Sequence, residues 1–211
     1  RVLVLNDGGS RLVFVTYDLN CLDVATPILR QRVRTELGID PSRLILLATH
    51  NHNAPIQINP DNFVYGHGLA ERMFGLIQEA IAAERGPVQV EVGSGPGYFI
   101  TARGNAPVDY EIQLLKVTHQ DAPMAMLFSH GTHPAQASRS MIDAGHPGYA
   151  MEEIEAAFPD VLAMYSDASG GNQFPRQPAD WETRTAEARE AGTAAYDALL
   201  ETRARELGHE L

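Results

Sequence analysis

Leu44-Ile45-Leu46-Leu47-Ala48-Thr49-His50-Asn51-His52-Asn53-Ala54-Pro55 joins a short apolar run to two histidines spaced two residues apart. The run is too short to cross a bilayer and reads as a buried strand. Residues i and i+2 of a strand point to the same face. If extended geometry persists to the end of the run, both imidazoles leave the sheet edge on one side. Imidazole is the commonest metal ligand among side chains and changes charge near neutral pH. The competing reading is a pair of ordinary loop histidines, and the rest of the chain weighs against it.

Outward from this strand the chain alternates. Strands are expected at 2–5 and 12–17, joined into a hairpin by Asp7-Gly8-Gly9-Ser10, whose residues tolerate positive φ. A helix follows at 26–37, with Ile28, Leu29, Val33 and Leu37 on one side and Gly38 placed to end it. After the histidines comes a polar stretch, 53–68, long enough to be a functional loop. Its Phe63 and Tyr65 could meet an apolar chain or pack on their own loop. Then an amphipathic helix is expected at 69–84, and a strand at 88–92 that leads into Gly93-Ser94-Gly95-Pro96-Gly97. No helix opens after these glycines, so they are no dinucleotide fingerprint. Strands at 111–117 and 124–129 flank a turn at Gln120-Asp121. A helix at 148–158, a strand at 161–165 and an alanine-rich helical segment at 181–207 complete the pattern. The class is α/β, a mixed β-sheet with flanking helices, and ligand sites in such folds gather at strand C-terminal ends.

The 211 residues suit one domain with a sizeable core, and 44% apolar with 20% charged residues describes a globular chain. A net charge of -11 argues against a nucleic-acid-binding surface. No run is long and apolar enough for a transmembrane segment. Cys21 is the only cysteine, so there is no internal disulfide and any zinc must be held without a thiolate pair. The chain opens at Arg1 inside an apolar run and reads as the interior of a longer protein, which leaves its compartment and oligomeric state unread.

Three further segments carry chemistry. His130-Gly131-Thr132-His133-Pro134 again places two histidines after an apolar strand, so two strand ends could converge on one metal. Ser166-Asp167-Ala168-Ser169-Gly170-Gly171-Asn172-Gln173-Phe174-Pro175 has small residues that let backbone approach a ligand, or it is a connector. Arg103 suits a carboxylate or a developing oxyanion, though a lone arginine is also a common surface charge. Asp18, ending a strand, could orient a ligand histidine or cap the following turn. His146-Pro147 reads as a helix start, and His67, His119 and His209 as surface residues.

In order and spacing these motifs resemble the N-terminal catalytic domain of the neutral/alkaline non-lysosomal ceramidase family. The resemblance runs through Val15-Thr16-Tyr17-Asp18-Leu19, the Thr-His-x-His-x-x-Pro motif at 49–55, Arg103 before Asp109 and Glu111-Ile112, His133-Pro134, and Pro147-Gly148-Tyr149-Ala150. It implies one ceramidase-like catalytic domain over 1–211, cut at both ends, with Zn2+ held by His50 and His133. It also implies that His52 lies beside the metal against the substrate and that Arg103 faces the reacting carbonyl. The family's other ligands, a glutamate and a tyrosine, lie further along the chain, and its members are often exported. His130 competes with His133 for the ligand role; the match places the ligand just before proline. Gly145 stands where many relatives have aspartate. Phe174 stands where the family has its serine nucleophile, and a phenyl ring cannot attack a carbonyl. The expectation is therefore a zinc-dependent amide hydrolase acting on a small-molecule or lipid N-acyl substrate through metal-activated water. The alternatives are a non-catalytic binding domain and a metallohydrolase of another ester or amide.

Overall fold

Strand alternation sorts the apolar side chains of this protein onto three separate cores. In the computed structural model, which describes residues 1–134 and 142–175, β1 (Val2–Asn6) pairs antiparallel with β2 (Arg11–Tyr17), and β2 pairs parallel with β3 (Leu44–Ala48). Val2, Val4, Val13, Val15, Leu44 and Leu46 point to one face of this sheet. There they meet α1 (Ala25–Leu37) through Leu29 and Val33, and α2 (Phe63–Ala82) through Met73, Phe74 and Ile77. The intervening Leu3, Leu5, Leu12, Phe14, Ile45 and Leu47 point the other way, onto a second sheet.

That second sheet has the order β4-β6-β7-β8, formed by β4 (Gln89–Pro96), β6 (Glu111–His119), β7 (Ala122–His130) and β8 (Leu162–Asp167). β4, β6 and β7 run antiparallel, while β7 and β8 are parallel and joined through α3 (Gly145–Ala157). Leu115, Val117, Leu127 and Met164 face the first sheet, whereas Leu114, Met126, Phe128, Ala163 and Tyr165 face Ala150, Met151 and Ile154 of α3. The layers therefore stack helix, sheet, sheet, helix. The expected α/β class with mixed pairing and flanking helices holds, with the strands shared between two facing sheets and a small ribbon. The ribbon pairs β5 (Ile100–Ala102) antiparallel with β9 (Gln173–Pro175).

Local chemistry sets the boundaries. Gly8 has φ 88 in the first hairpin, where the Asp7 carboxylate accepts the Gly9 and Ser10 N–H groups at 2.9 and 2.8 Å. Gly38 ends α1 at φ 67, and Gln120 and Asp121, at φ 50 and 64, make the tight turn between β6 and β7. Three boundaries differ from the sequence reading by three residues or more. α2 starts at Phe63 rather than 69, because a turn at Pro60–Asn62 launches it; the preceding loop is correspondingly shorter. Gly66 lets that first turn lie against Gln57 and Val24, where an added Cβ would come within 3.0 and 3.1 Å. β4 continues through Gly93-Ser94-Gly95, since its ladder to β6 asks only for backbone. α3 starts at Gly145, whose N–H is taken by the Asp143 carboxylate at 2.6 Å. The helical segment expected at 181–207 lies outside the described residues.

Candidate metal centre

The β2–β3 ladder ends at Tyr17 and Ala48, and Thr49 N–H donates once more to the Tyr17 carbonyl at 3.1 Å. Extended geometry stops there: His50 is left-handed, at φ 60. Residues with a Cβ enter this region at a cost, so something must hold His50 in it. The Asp18 carboxylate does so from both sides, accepting the Thr49 hydroxyl at 2.8 Å and the Asn51 amide at 3.2 Å. Asn51 is buried; its amide also donates to the Asp143 carbonyl, and its Oδ1 accepts the Asn53 N–H at 2.9 Å. Asp18 thus clamps the residues flanking His50. The His50 ring is oriented instead by the Asn20 carbonyl, 3.2 Å from Nδ1. A carbonyl only accepts, so Nδ1 carries a proton and, in the neutral ring, the lone pair is on Nε2.

His52 Nε2 lies 3.3 Å from His50 Nε2, and the His52 N–H reaches the Pro134 carbonyl at 3.4 Å. This brings the β3 end to the segment after β7. His133 completes the group, its ring centroid 4.8 Å from that of His50 and 4.5 Å from that of His52. The ligand nitrogens of His50, His52 and His133 all lie within 4.8 Å of one another. His133 Nδ1 is buried with no hydrogen-bond partner. Burial, then the neighbouring His52, His50 and Arg103, hold the His133 pKa down to about 4, so its ring is neutral at pH 7.

His130, the rival for the ligand role, sits apart. It is fully buried, with Nδ1 2.7 Å from the Thr132 hydroxyl and its ring stacked on buried His146 at 5.2 Å. Burial alone pushes its pKa down to about 3. Arg103 follows β5 in an exposed loop, its N–H donating to the Asn172 carbonyl at 2.8 Å. Its guanidinium lies 5.4 Å from the centre of the Phe174 ring, and the same ring meets His133 edge-on at 5.3 Å. Phe174 therefore lies between the arginine and a histidine of the triad. His67 lies exposed on α2, His119 is tied to the Pro87 carbonyl at 2.9 Å, and His209 lies outside the described residues.

Sequence reasoning gave no role to Asn51, Asp143 or His146 in this neighbourhood, and picked out Gln173 only as part of the 166–175 segment. The polar residue buried between two histidines was the available signal for Asn51; the others have partners remote in sequence. A cleft of about 520 Å³ also opens between the two sheets, with Phe14, Leu47, Leu115 and Leu127 in its walls and Ser129 and Ser166 beside them. Leu47 is three residues before His50, and Ser129 four before His133.

No protein-family model matches the chain, and no curated protein matches it in sequence. In three dimensions it is similar to a ceramidase complexed with C2, with TM-score 0.80 and 17% identity over 96% of this chain. It is likewise similar to neutral ceramidase from Pseudomonas aeruginosa, with TM-score 0.80 and 18% identity over 93%. Each match takes in 37% of the ceramidase chain, so this chain spans a little over a third of the length of those structures. At this identity the likeness establishes a shared fold. No helix among the described residues is long and apolar enough to cross a membrane.

Proposed function

We propose that this chain, with a ceramidase-like fold and three imidazoles meeting at its strand ends, is a catalytic domain of a zinc-dependent hydrolase that cleaves an amide bond. The observation that carries the reading is the convergence of His50, His52 and His133 within 4.8 Å. The donor set fits zinc. All ligand atoms are nitrogens, His133 is held neutral, His50 has its Nδ1 proton engaged, and a buried His133 nitrogen lacks a partner. In the reading, His50 and His133 are the ligands. A zinc ion bound there supplies Lewis acidity and brings the pKa of water toward neutrality.

The remaining roles belong to the chain's own groups. His52, with Nε2 beside the ligand pair, holds and passes the proton released when water attacks and the amine leaves. Arg103, backed by the Phe174 ring, presents its N–H fork to the negative charge growing on the carbonyl oxygen. Phe174 excludes a seryl ester, so water is the nucleophile. The cleft between the sheets has room for an apolar acyl group, and Phe63 and Tyr65, each 43% exposed on the first turn of α2, offer further apolar contact. These features support an N-acyl substrate.

The test is the metal content of the full-length protein purified without chelator. About one zinc per chain is expected, absent from His50→Ala and His133→Ala and retained in His52→Ala. Loss in all three variants would make His52 a third ligand. No zinc in the parent, even after zinc addition, would sink the hydrolase reading. Phe174 itself favours a second reading, a metal-binding domain without catalysis. That reading gains if the zinc-loaded parent turns over no member of an amide and ester library while Phe174→Ser does.

A further inference from the structure

Arg103 and His133 arrive from segments far apart in the chain, and one residue, through its side chain and its backbone, ties both segments together. We propose that Gln173 is a positioning residue for the candidate centre: its buried carboxamide and its backbone set the spacing between His133 and Arg103. Gln173 is 2% exposed. Its Oε1 accepts the Asp109 N–H, on the loop that carries Arg103, and its Nε2 donates to the Ser169 carbonyl at 3.1 Å. Its backbone carbonyl accepts the His133 N–H at 3.0 Å. In the β5–β9 ribbon Gln173 pairs with Ala102, the residue before Arg103. The same short strand thus bonds the His133 backbone on one side and adjoins Arg103 on the other, and its next residue, Phe174, touches both side chains.

The carboxamide is chemically required. One end must accept from an N–H while the other donates to a carbonyl; glutamate, methionine and leucine each fail at one end or both. The packing leaves no slack. A Cβ on Gly131 would come within 2.7 Å of Gln173 Nε2. A Cβ on Gly170 would come within 3.2 Å of both His133 N and the Asp167 carboxylate. The amide packs against the Gly131 and Ser169 backbone, so its loss is expected to loosen the segments that hold the His133 N–H on the Gln173 carbonyl.

The inference rests on the metal-site reading, so its test includes one measurement with metal and one without. In the full-length protein, Gln173→Leu and Gly131→Ala are compared with Ile154→Val, which trims the core beneath α3. Zinc affinity is measured by chelator competition and the Co2+ absorption spectrum is recorded. The ring proton shifts of His133, sensitive to the Phe174 edge, are followed by NMR in metal-free protein. The two site variants are expected to lose about 10- to 100-fold in zinc affinity, the range for groups that orient ligands. They should also alter the cobalt spectrum and move the His133 signals, while Ile154→Val does none of these. Unchanged affinity and unchanged His133 signals would overturn the proposal, as would the same changes in Ile154→Val. If the parent takes up no metal, the metal reading falls and the His133 shifts alone decide the positioning role. If Gln173→Leu does not fold, Gly131→Ala carries the comparison.

Discussion

His50 shows how one residue can be held against its own preference. A left-handed histidine costs about 1 kcal/mol or more, yet φ 60 is what turns its ring toward His52 and His133. The restraint comes from Asp18, which binds the residue on each side of it. Asp18→Ala strips the acceptor from a buried hydroxyl and a buried amide. It is expected to cost about 1–3 kcal/mol in urea unfolding and to weaken zinc uptake. Asp18→Asn keeps an acceptor oxygen and should stay close to the parent in stability, the more so because burial already raises the Asp18 pKa toward the neutral form. The histidine pair was legible from sequence because an apolar run announces a strand end. The left-handed turn was not, since the carboxylate that enforces it belongs to the neighbouring strand. For the same reason Asp18 read as either a partner for an imidazole or a cap for the following turn.

Among elements, legibility followed length. The hairpin, α1, β3 and the β6–β7 pair carry periodic apolar patterns and sharp turn residues, and their places agree with the sequence reading to within two residues. Gly38 is the clearest such signal. With φ 67 at the end of α1, Gly38→Ala should destabilise the protein by about 1 kcal/mol, read from the urea midpoint at unchanged m-value. The three-residue strands β5 and β9 have no room to show a period, and they pair across most of the second sheet. They carry the approach of Arg103, Phe174 and His133, so the part of the site that sequence could not assemble depends on the shortest elements. α2 hid its first turn behind Gly66 and Gly68, which weaken a helix pattern; of the two, Gly66 permits close packing on Gln57.

For the whole molecule, the stack of two sheets between helices buries polar as well as apolar groups. His130, His133 and His146 all have pKa values lowered chiefly by burial, to about 3, about 4 and well below the usual histidine value. In the unfolded chain each takes up a proton near pH 6.5, so between there and about pH 4 the unfolded state binds more protons. Stability is expected to fall as pH falls through that window, by up to about 1.4 kcal/mol per unit for each of the fully buried His130 and His146 and by less for the partly exposed His133. Asp167 works the other way. Burial raises its pKa to about 7, so the folded state binds more protons between about pH 4 and 7, and this contribution is lost as pH rises through 7. Asp167→Asn, metal-free, should therefore be more stable than the parent at pH 8, on the order of 1 kcal/mol after allowance for its partial exposure. The advantage should vanish by pH 4; a constant gap from pH 4 to 8 would refute it. The β5–β9 ribbon has one more consequence, and it concerns time. Between Ile100 and its partner Pro175 the chain runs through β6, β7, α3 and β8. Contacts of such long loop closure come late in folding. The candidate ion site is thus expected among the last features to assemble, and an ion bound there would report a finished chain rather than help to build one.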